Sequence, residues 1–215
     1  LENEINKIKS WDEFNLKNNL LRGIYSYGFE NPSPIQQKAI QPIIDNKDVI
    51  AQSQSGTGKT GCFTIASLEK IDESIKKTQV LIISPTRELS QQIINVLDNI
   101  SIYMNNLNTQ LLVGGVSTEV DIEKYRTNVP HIAVGCPGRI FDMLKRNIIK
   151  TDELKLLVLD EADEMLSTGF KEQIYNIFQY LPQETQVGLF SATFPSELKA
   201  LTNRFMRDPI EILIK

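Results

Sequence analysis

Short apolar runs alternate with longer amphipathic stretches along this chain, and that alternation leaves few folds open. The runs are Asp48–Ala51, Val80–Ser84, Gln110–Val113, His131–Gly135, Leu156–Leu159, Val187–Phe190 and Ile210–Ile214. Between them lie helix-length segments: Pro34–Asn46, Lys59–Glu73, Arg87–Tyr103, Glu119–Thr127, Arg139–Lys145, Lys171–Tyr180 and Ser196–Phe205. Strands joined through helices pair in parallel by right-handed crossovers, which predicts an α/β chain with a mostly parallel sheet of about seven strands and helices on both faces. Runs such as Leu156–Leu159 are apolar at every position, as burial on two faces requires. Ligands in such sheets bind beyond the carboxyl ends of the strands, so chemistry is sought in the loops that follow them.

One of those loops is distinctive. The run Asp48–Ala51 leads into Ser53-Gln54-Ser55-Gly56-Thr57-Gly58-Lys59-Thr60, and a helical pattern follows at once. Glycines there let backbone N–H groups turn inward around phosphate oxygens, in front of the positive end of the helix dipole. Lys59 can reach β- and γ-phosphates, and the Thr60 hydroxyl can bind Mg²⁺. The pattern departs from its usual form at the first position, where Ser53 stands in place of Gly. A second loop supplies the complement. Leu156–Leu159 ends in Asp160-Glu161-Ala162-Asp163. Asp160 suits a Mg²⁺ held through water, and Glu161 suits orienting and deprotonating a water that attacks a γ-phosphate. Such an acidic stretch is also common at helix N-termini, and the phosphate loop is what favours the chemical reading.

Composition excludes several classes. The formal net charge is −4, so no overall basic field draws this protein onto nucleic acid, and any such contact is local. Arg87 follows Val80–Ser84, and Gly138 and Arg139 follow His131–Gly135; two helix N-termini and two guanidiniums on one sheet edge would form a local phosphate track. No run approaches the roughly 18 apolar residues of a membrane span. Cys62 and Cys136 make no disulfide framework and no zinc spacing, and they fit a reducing compartment. His131, the one histidine, reads as a strand-start residue, and Cys62 as a small packing residue. No repeat or linker divides the chain: residues 11–215 read as one domain, and Leu1–Ser10 as a mobile arm. A start at Leu1 rather than Met suggests a processed or excised piece.

Together, the phosphate loop and Asp160-Glu161-Ala162-Asp163 resemble those of DEAD-box RNA helicases, and the resemblance runs along nearly the whole chain. Gly28-Phe29-Glu30-Asn31-Pro32-Ser33-Pro34-Ile35-Gln36 resembles the family's adenine-reading motif, with Trp11 as its isolated upstream aromatic. Pro85-Thr86-Arg87-Glu88-Leu89, Gly114-Gly115 and Cys136-Pro137-Gly138-Arg139 resemble three RNA-contacting motifs. Ser191-Ala192-Thr193 resembles the motif that couples hydrolysis to unwinding. Cys136 replaces the usual Thr, and a thiol is the weaker donor. Within the family, Ala51-Gln52-Ser53-Gln54-Ser55 and Gly169-Phe170-Lys171-Glu172-Gln173-Ile174-Tyr175 look like the initiation factor 4A group, which includes its exon-junction relative.

The resemblance implies a RecA-like three-layer sandwich that binds ATP with Mg²⁺ and couples its hydrolysis to RNA binding and unwinding. It implies catalytic roles for Lys59, Asp160 and Glu161, and metal binding by Thr60 and Asp160. Nucleotide binding falls to Phe29, Gln36, Ser53, Gln54, Ser55, Gly56, Thr57, Gly58, Lys59 and Thr60. The amide of Gln36 both donates and accepts, which matches adenine N6 and N7 and not guanine; Phe29 could stack on the base. RNA binding falls to Pro85, Thr86, Arg87, Gly115, Gly138 and Arg139, on the backbone of a single strand. Asp163, Ser191 and Thr193, which in isolation read as helix caps, would couple the γ-phosphate to that edge. The implied partners are RNA, a C-terminal RecA-like lobe of the same parent and a helical-repeat scaffold of the initiation factor 4G type, with no membrane, in the cytoplasm and also the nucleus. That second lobe carries arginine fingers, and Lys215 falls about where the linker to it would begin. Without them, turnover should drop by about 10³–10⁵. Other readings stay open: a P-loop NTPase of another class, or a nucleotide-responsive scaffold in an exon-junction-type RNA–protein complex.

Overall fold

In the computed structural model, residues 8–215 are described, and seven strands alternate with helices along them. The strands are β1 (Val49–Gln52), β2 (Val80–Ile83), β3 (Thr109–Leu112), β4 (Ile132–Gly135), β5 (Leu156–Leu159), β6 (Gln186–Ser191) and β7 (Ile210–Leu213). They form one sheet in the order β3-β4-β2-β5-β6-β1-β7, and every pairing is parallel. The helices are α1 (Asn18–Tyr27), α2 (Pro34–Ile44), α3 (Lys59–Lys70), α4 (Arg87–Ile100), α5 (Thr118–Thr127), α6 (Pro137–Lys145), α7 (Ala162–Ser167), α8 (Lys171–Gln179) and α9 (Ser196–Phe205). Two apolar cores result, one on each face of the sheet. Trp11, Leu20, Ile40, Phe63, Leu97 and Phe190 belong to the first; Met143, Leu157, Met165, Ile177 and Leu201 belong to the second. This is the three-layer architecture expected from the alternation, reached because strands β2, β4 and β5 are buried throughout.

Three helical elements go beyond the sequence reading. A 3₁₀ turn spans Trp11–Phe14, capped by the Ser10 hydroxyl, which accepts from Asp12 N–H at 3.2 Å. Helix α1 buries Leu20, Gly23 and Ile24, an i, i+3, i+4 spacing, and ends at Gly28 in the left-handed conformation. Gly23 is obligatory: a Cβ there would lie 1.7 Å from the carbonyl oxygen of Ile100. The third is α7, directly after the acidic strand end. The N-terminal arm expected over Leu1–Ser10 falls, for its first seven residues, outside the described residues.

Some helices stop earlier than their patterns suggest. Helix α3 ends at Lys70 because Ile71 is extended, and the ammonium of Lys17 donates to the carbonyls of Leu68 and Ile71 at that terminus. His131, just before β4, is buried; its Nδ1 accepts from Asn108 N–H at 3.0 Å, and its Nε2 lies 2.9 Å from the carbonyl of Glu73. No helix among the described residues is long and apolar enough to cross a membrane. The parallel register brings the carboxyl ends of β1 to β6 to one edge; the phosphate loop, the acidic strand end and the motifs at Pro85, Gly114, Cys136 and Ser191 start there, whereas Gly28–Gln36 precedes β1.

Candidate functional site

The loop after β1 is shaped by two left-handed glycines, Gly56 (φ 82°) and Gly58 (φ 93°). Gly58 is required twice over. Its φ disfavours a side chain, and a Cβ there would stand 2.6 Å from Ser33 Oγ and 2.9 Å from Gln36 Nε2. No side chain caps α3, so the first N–H groups of that helix remain available to an anion. Ser53 is buried; its N–H donates to Ser191 O at 2.9 Å, while its hydroxyl and that of Ser33 are enclosed without a partner among the described residues. Gln54, Ser55 and Gly56 are exposed, and Thr57 ties the loop by donating to Gln54 O at 2.8 Å.

Lys59 opens α3 and meets both carboxylates of the acidic strand end. Its Nζ lies 3.0 Å from Asp160 Oδ1 and 3.4 Å from Glu161 Oε1. Asp160 is almost fully enclosed, and burial raises its pKa above the ordinary range against the opposing pull of Lys59. Glu161 is more open and sits in the left-handed region (φ 52°, ψ 48°), held by its N–H donating to Asp160 Oδ1 at 3.0 Å. A side chain pays a steric cost there of about 1–2 kcal/mol, and strain of this kind gathers at functional sites.

Gln36 is buried and joins two elements. Its Oε1 accepts from Ser33 N–H at 2.8 Å, and its Nε2 donates to Gly58 O at 3.0 Å. One amide hydrogen and one lone pair remain. Phe29 stacks on Trp11 with centroids 6.2 Å apart, and its ring edge would touch a Cβ at Gly61 at 3.1 Å. The adenine-motif residues thus pack directly on the phosphate loop and on the first turn of α3.

Asp163, Ser191 and Thr193 are joined by hydrogen bonds. Asp163 Oδ2 accepts from Thr193 N–H at 3.1 Å and from Thr193 Oγ1 at 2.8 Å. Asp163 N–H donates to Ser191 Oγ at 3.2 Å, and that hydroxyl donates to Thr193 O at 2.7 Å. Burial alone would raise the Asp163 pKa; the hydrogen bonds from Thr193 and from Glu164 N–H, with the Ser191 hydroxyl alongside, together outweigh it and hold the carboxyl below the usual range.

On the adjoining edge the two guanidiniums differ. Arg87 is exposed and lies over Gly115 (φ 85°), where a Cβ would approach its Nη1 to 2.5 Å. Arg139 is ion-paired through Nη1 with Asp121 and donates from Nη2 to Val116 O at 2.8 Å. Thr86 spends its hydroxyl on capping α4, accepting from Leu89 N–H at 3.2 Å. Pro85 is buried, whereas Gly138 is open. Cys136 precedes α6 without capping it; its thiol faces Ser90 Oγ at 3.7 Å, and burial raises its pKa.

The model of the DEAD/DEAH box helicase family matches residues 33–201. The chain belongs to that family. It is 53% identical over 210 residues to the ATP-dependent RNA helicase eIF4A of Meyerozyma guilliermondii, covering 98% of this chain and 52% of that protein. It is 56% identical over 206 residues to the eIF4A of Aspergillus niger, covering 96% and 51%. Among solved structures it resembles a DEAD box protein from Methanococcus jannaschii, with a TM-score of 0.91 and 33% identity, covering 96% of this chain and 56% of that one. It also resembles S. cerevisiae Dbp5 bound to RNA and ADP BeF3, with a TM-score of 0.86, 31% identity and 96% and 52% covered. The chain spans about half the length of the curated relatives it matches.

For a DEAD-box domain, the donor set fits a nucleoside triphosphate with Mg²⁺. The glycine cradle, the uncapped helix start and the ammonium of Lys59 suit phosphate oxygens, while one hydroxyl and one carboxylate suit an ion that keeps most of its ligands as water and phosphate. Sequence reasoning missed Ser33, Gly61 and Asp121. The first was legible, since Ser33-Pro34-Ile35-Gln36 has the spacing of a capping box with Pro at the first helical position. Gly61 and Asp121 gain their meaning from tertiary contacts that leave no local trace.

Proposed function

We propose that this chain is the nucleotide-binding, RNA-gripping lobe of an ATP-dependent RNA helicase acting in translation initiation. The observation that carries the reading is the convergence of Lys59, Asp160 and Glu161 beneath a left-handed glycine loop. Lys59 would stabilise charge on the β- and γ-phosphates. Thr60 and Asp160 would hold Mg²⁺, which when bound neutralises phosphate charge and orients the γ-phosphoryl group. Glu161 would position a water in line with the γ-phosphorus and accept its proton. Gln36 would read adenine with its remaining donor and acceptor, beside Phe29. Gln54, Ser55, Gly56, Thr57 and Gly58 would wrap the phosphates by backbone N–H groups, with Ser53 at the root of the loop.

RNA would lie along the edge formed by Pro85, Thr86, Arg87, Gly115, Gly138 and Arg139, gripped by its phosphates without base readout. Asp163, Ser191 and Thr193 would relay the state of the phosphate loop to that edge. A second RecA-like lobe would complete the ATP site with arginine fingers, and an initiation factor 4G-type scaffold would hold the two lobes, in the cytoplasm. The eIF4A names of the relatives weigh for initiation, and nothing favours the exon-junction alternative.

Calorimetric titration of this chain with Mg-ADP and with Mg-GDP tests the nucleotide reading. Binding of ADP with little binding of GDP is expected; equal affinities would remove the adenine role of Gln36, and a folded chain that binds neither would remove the nucleotide site. In the two-lobe protein, Glu161→Gln should keep ATP binding and abolish RNA-stimulated turnover, and unchanged turnover would take Glu161 out of the chemistry.

A further inference from the structure

Arg139 joins the start of α6 to the segment that runs from the Gly114–Val116 loop into α5, and the partner that fixes it is not among the residues assigned to RNA. Asp121 stands in the first turn of α5, and Arg139 in the first turn of α6. The guanidinium is ion-paired with the Asp121 carboxylate and also donates to Val116 O, in the loop that carries Gly114 and Gly115. The two side chains are only 10% and 8% exposed. The backbone of Asp121 is tied in as well: its N–H donates to Ser117 O at 3.2 Å, and its carbonyl accepts from Gln110 Nε2 at 3.1 Å. Gly115 in turn packs under the exposed guanidinium of Arg87, at the start of α4.

We infer that Asp121 is a positioning residue: it locks Arg139 onto the Gly114–Val116 loop, so that Arg139 builds the RNA edge without meeting RNA phosphate through its guanidinium. This rests on the proposed RNA reading of that edge. The guanidinium keeps unused N–H donors, but with its side chain only 10% exposed it would have to turn out of its Asp121 and Val116 contacts to meet a phosphate, and that would strand the Asp121 carboxylate in a nearly dry site, an unfavourable exchange. Among the described residues Arg87 has no such partner, and its exposed guanidinium is a free cation on the edge. The fork geometry explains the choice of Arg at this point, since it reaches a carboxylate and a carbonyl at once, which an ammonium does less well.

The two roles give opposite signatures. A cation on phosphate contributes about 0.7 to the slope of log affinity against log salt for a single strand; a residue that only shapes the edge changes affinity and leaves the slope alone. The experiment measures binding of this 215-residue chain to a fluorescent single-stranded oligouridylate by anisotropy between about 50 and about 200 mM salt. Hydrogen exchange over residues 114–117 is measured alongside. Asp121→Asn and Arg139→Gln should each weaken binding by about tenfold with an unchanged slope and speed exchange in the loop, and Asp121→Glu should recover part of both. Arg87→Gln should flatten the slope. Tighter binding by Asp121→Asn, a flattened slope in Arg139→Gln, or unaltered exchange would overturn the inference. A wild-type chain that ignores the oligonucleotide while Asp121→Asn still loosens the loop would refute the RNA reading and leave the lock standing.

Discussion

Replacing Lys59 by Met should destabilise this domain in a way that depends on pH. The substitution keeps the length of the side chain and removes the ammonium that lies 3.0 Å from Asp160. Glu161 can turn toward water, since a quarter of its side chain is exposed; Asp160, at 3%, cannot. Among the described residues its one remaining partner is the N–H of Glu161. Stranding one member of a buried pair costs about 3–5 kcal/mol, which for a chain of this size lowers the melting temperature by roughly 6–20 °C. The Asp160 pKa is already raised by burial, and loss of Lys59 raises it further. Between the unfolded and folded values the native state holds a proton that the unfolded state lacks, so stability falls as pH rises through that window. In Lys59→Met the window extends upward, and the penalty should therefore be largest near neutrality and shrink in mild acid. Urea unfolding of the wild type and Lys59→Met across pH 5–8, roughly the range of greatest protein stability, measures it. Lys59→Met/Asp160→Asn, with no charge to strand, should recover much of the loss. A penalty that ignores pH, or a double variant no better than the single one, would refute the reasoning.

Other substitutions test the remaining parts of the site. Gly58→Ala forces a Cβ into the left-handed region and against Ser33 and Gln36; it should cost about 1–3 kcal/mol and weaken Mg-ADP binding by calorimetry, and unaltered affinity would mean the cradle is not rigid. Asp163→Asn should remove an acid-sensitive contribution: a carboxyl with a depressed pKa stabilises above its unfolded value and loses that contribution as pH falls through its folded one. The wild type should thus lose stability in acid more steeply than the variant, and equal acid profiles would deny the Thr193 bonds their weight. Neutral alkylation should modify the half-buried Cys136 slowly and spare Cys62, whose thiol is pushed far up by complete burial, until denaturant is added; early labelling of Cys62 would show that α3 opens locally.

Much of this was readable from local pattern. Gly56, Gly58, Lys59 and Thr60 act through backbone shape and helix start, and both are written in consecutive residues. The strand ends fell within a residue or so because the apolar runs are bounded by polar ones, and Leu156–Leu159 coincides with β5. Helix α1 was missed because a glycine sits in its middle, which argues against a helix until the Ile100 carbonyl is seen pressing on it. Arg139 was read as part of a phosphate track, and its actual partner was not foreseen because nothing near it in sequence announces Asp121, eighteen positions away on another helix. Gln36 was foreseen as facing a base, and its bond to Gly58, twenty-two positions on, has no local signature either.

The sheet order shows why so few residues can connect the phosphate loop to the acidic helix. Strand β6 lies between β1 and β5, so its last residue, Ser191, borders both loops. The Ser191 carbonyl accepts from Ser53 at the root of the phosphate loop, and its hydroxyl accepts from Asp163 while donating to Thr193. In the proposed function, a rearrangement around phosphate that shifts Ser53 would act on the residue that holds Asp163 and Thr193 in register. The Lys59 contact to Asp160 and Glu161 links the same two loops by charge. Two short connections, one of hydrogen bonds and one of ion pairs, span neighbouring strand ends in a close-packed sheet. On the proposed reading, a state change at the phosphates would need no long pathway to reach the start of α7; it would need only that Ser191 keeps both of its neighbours.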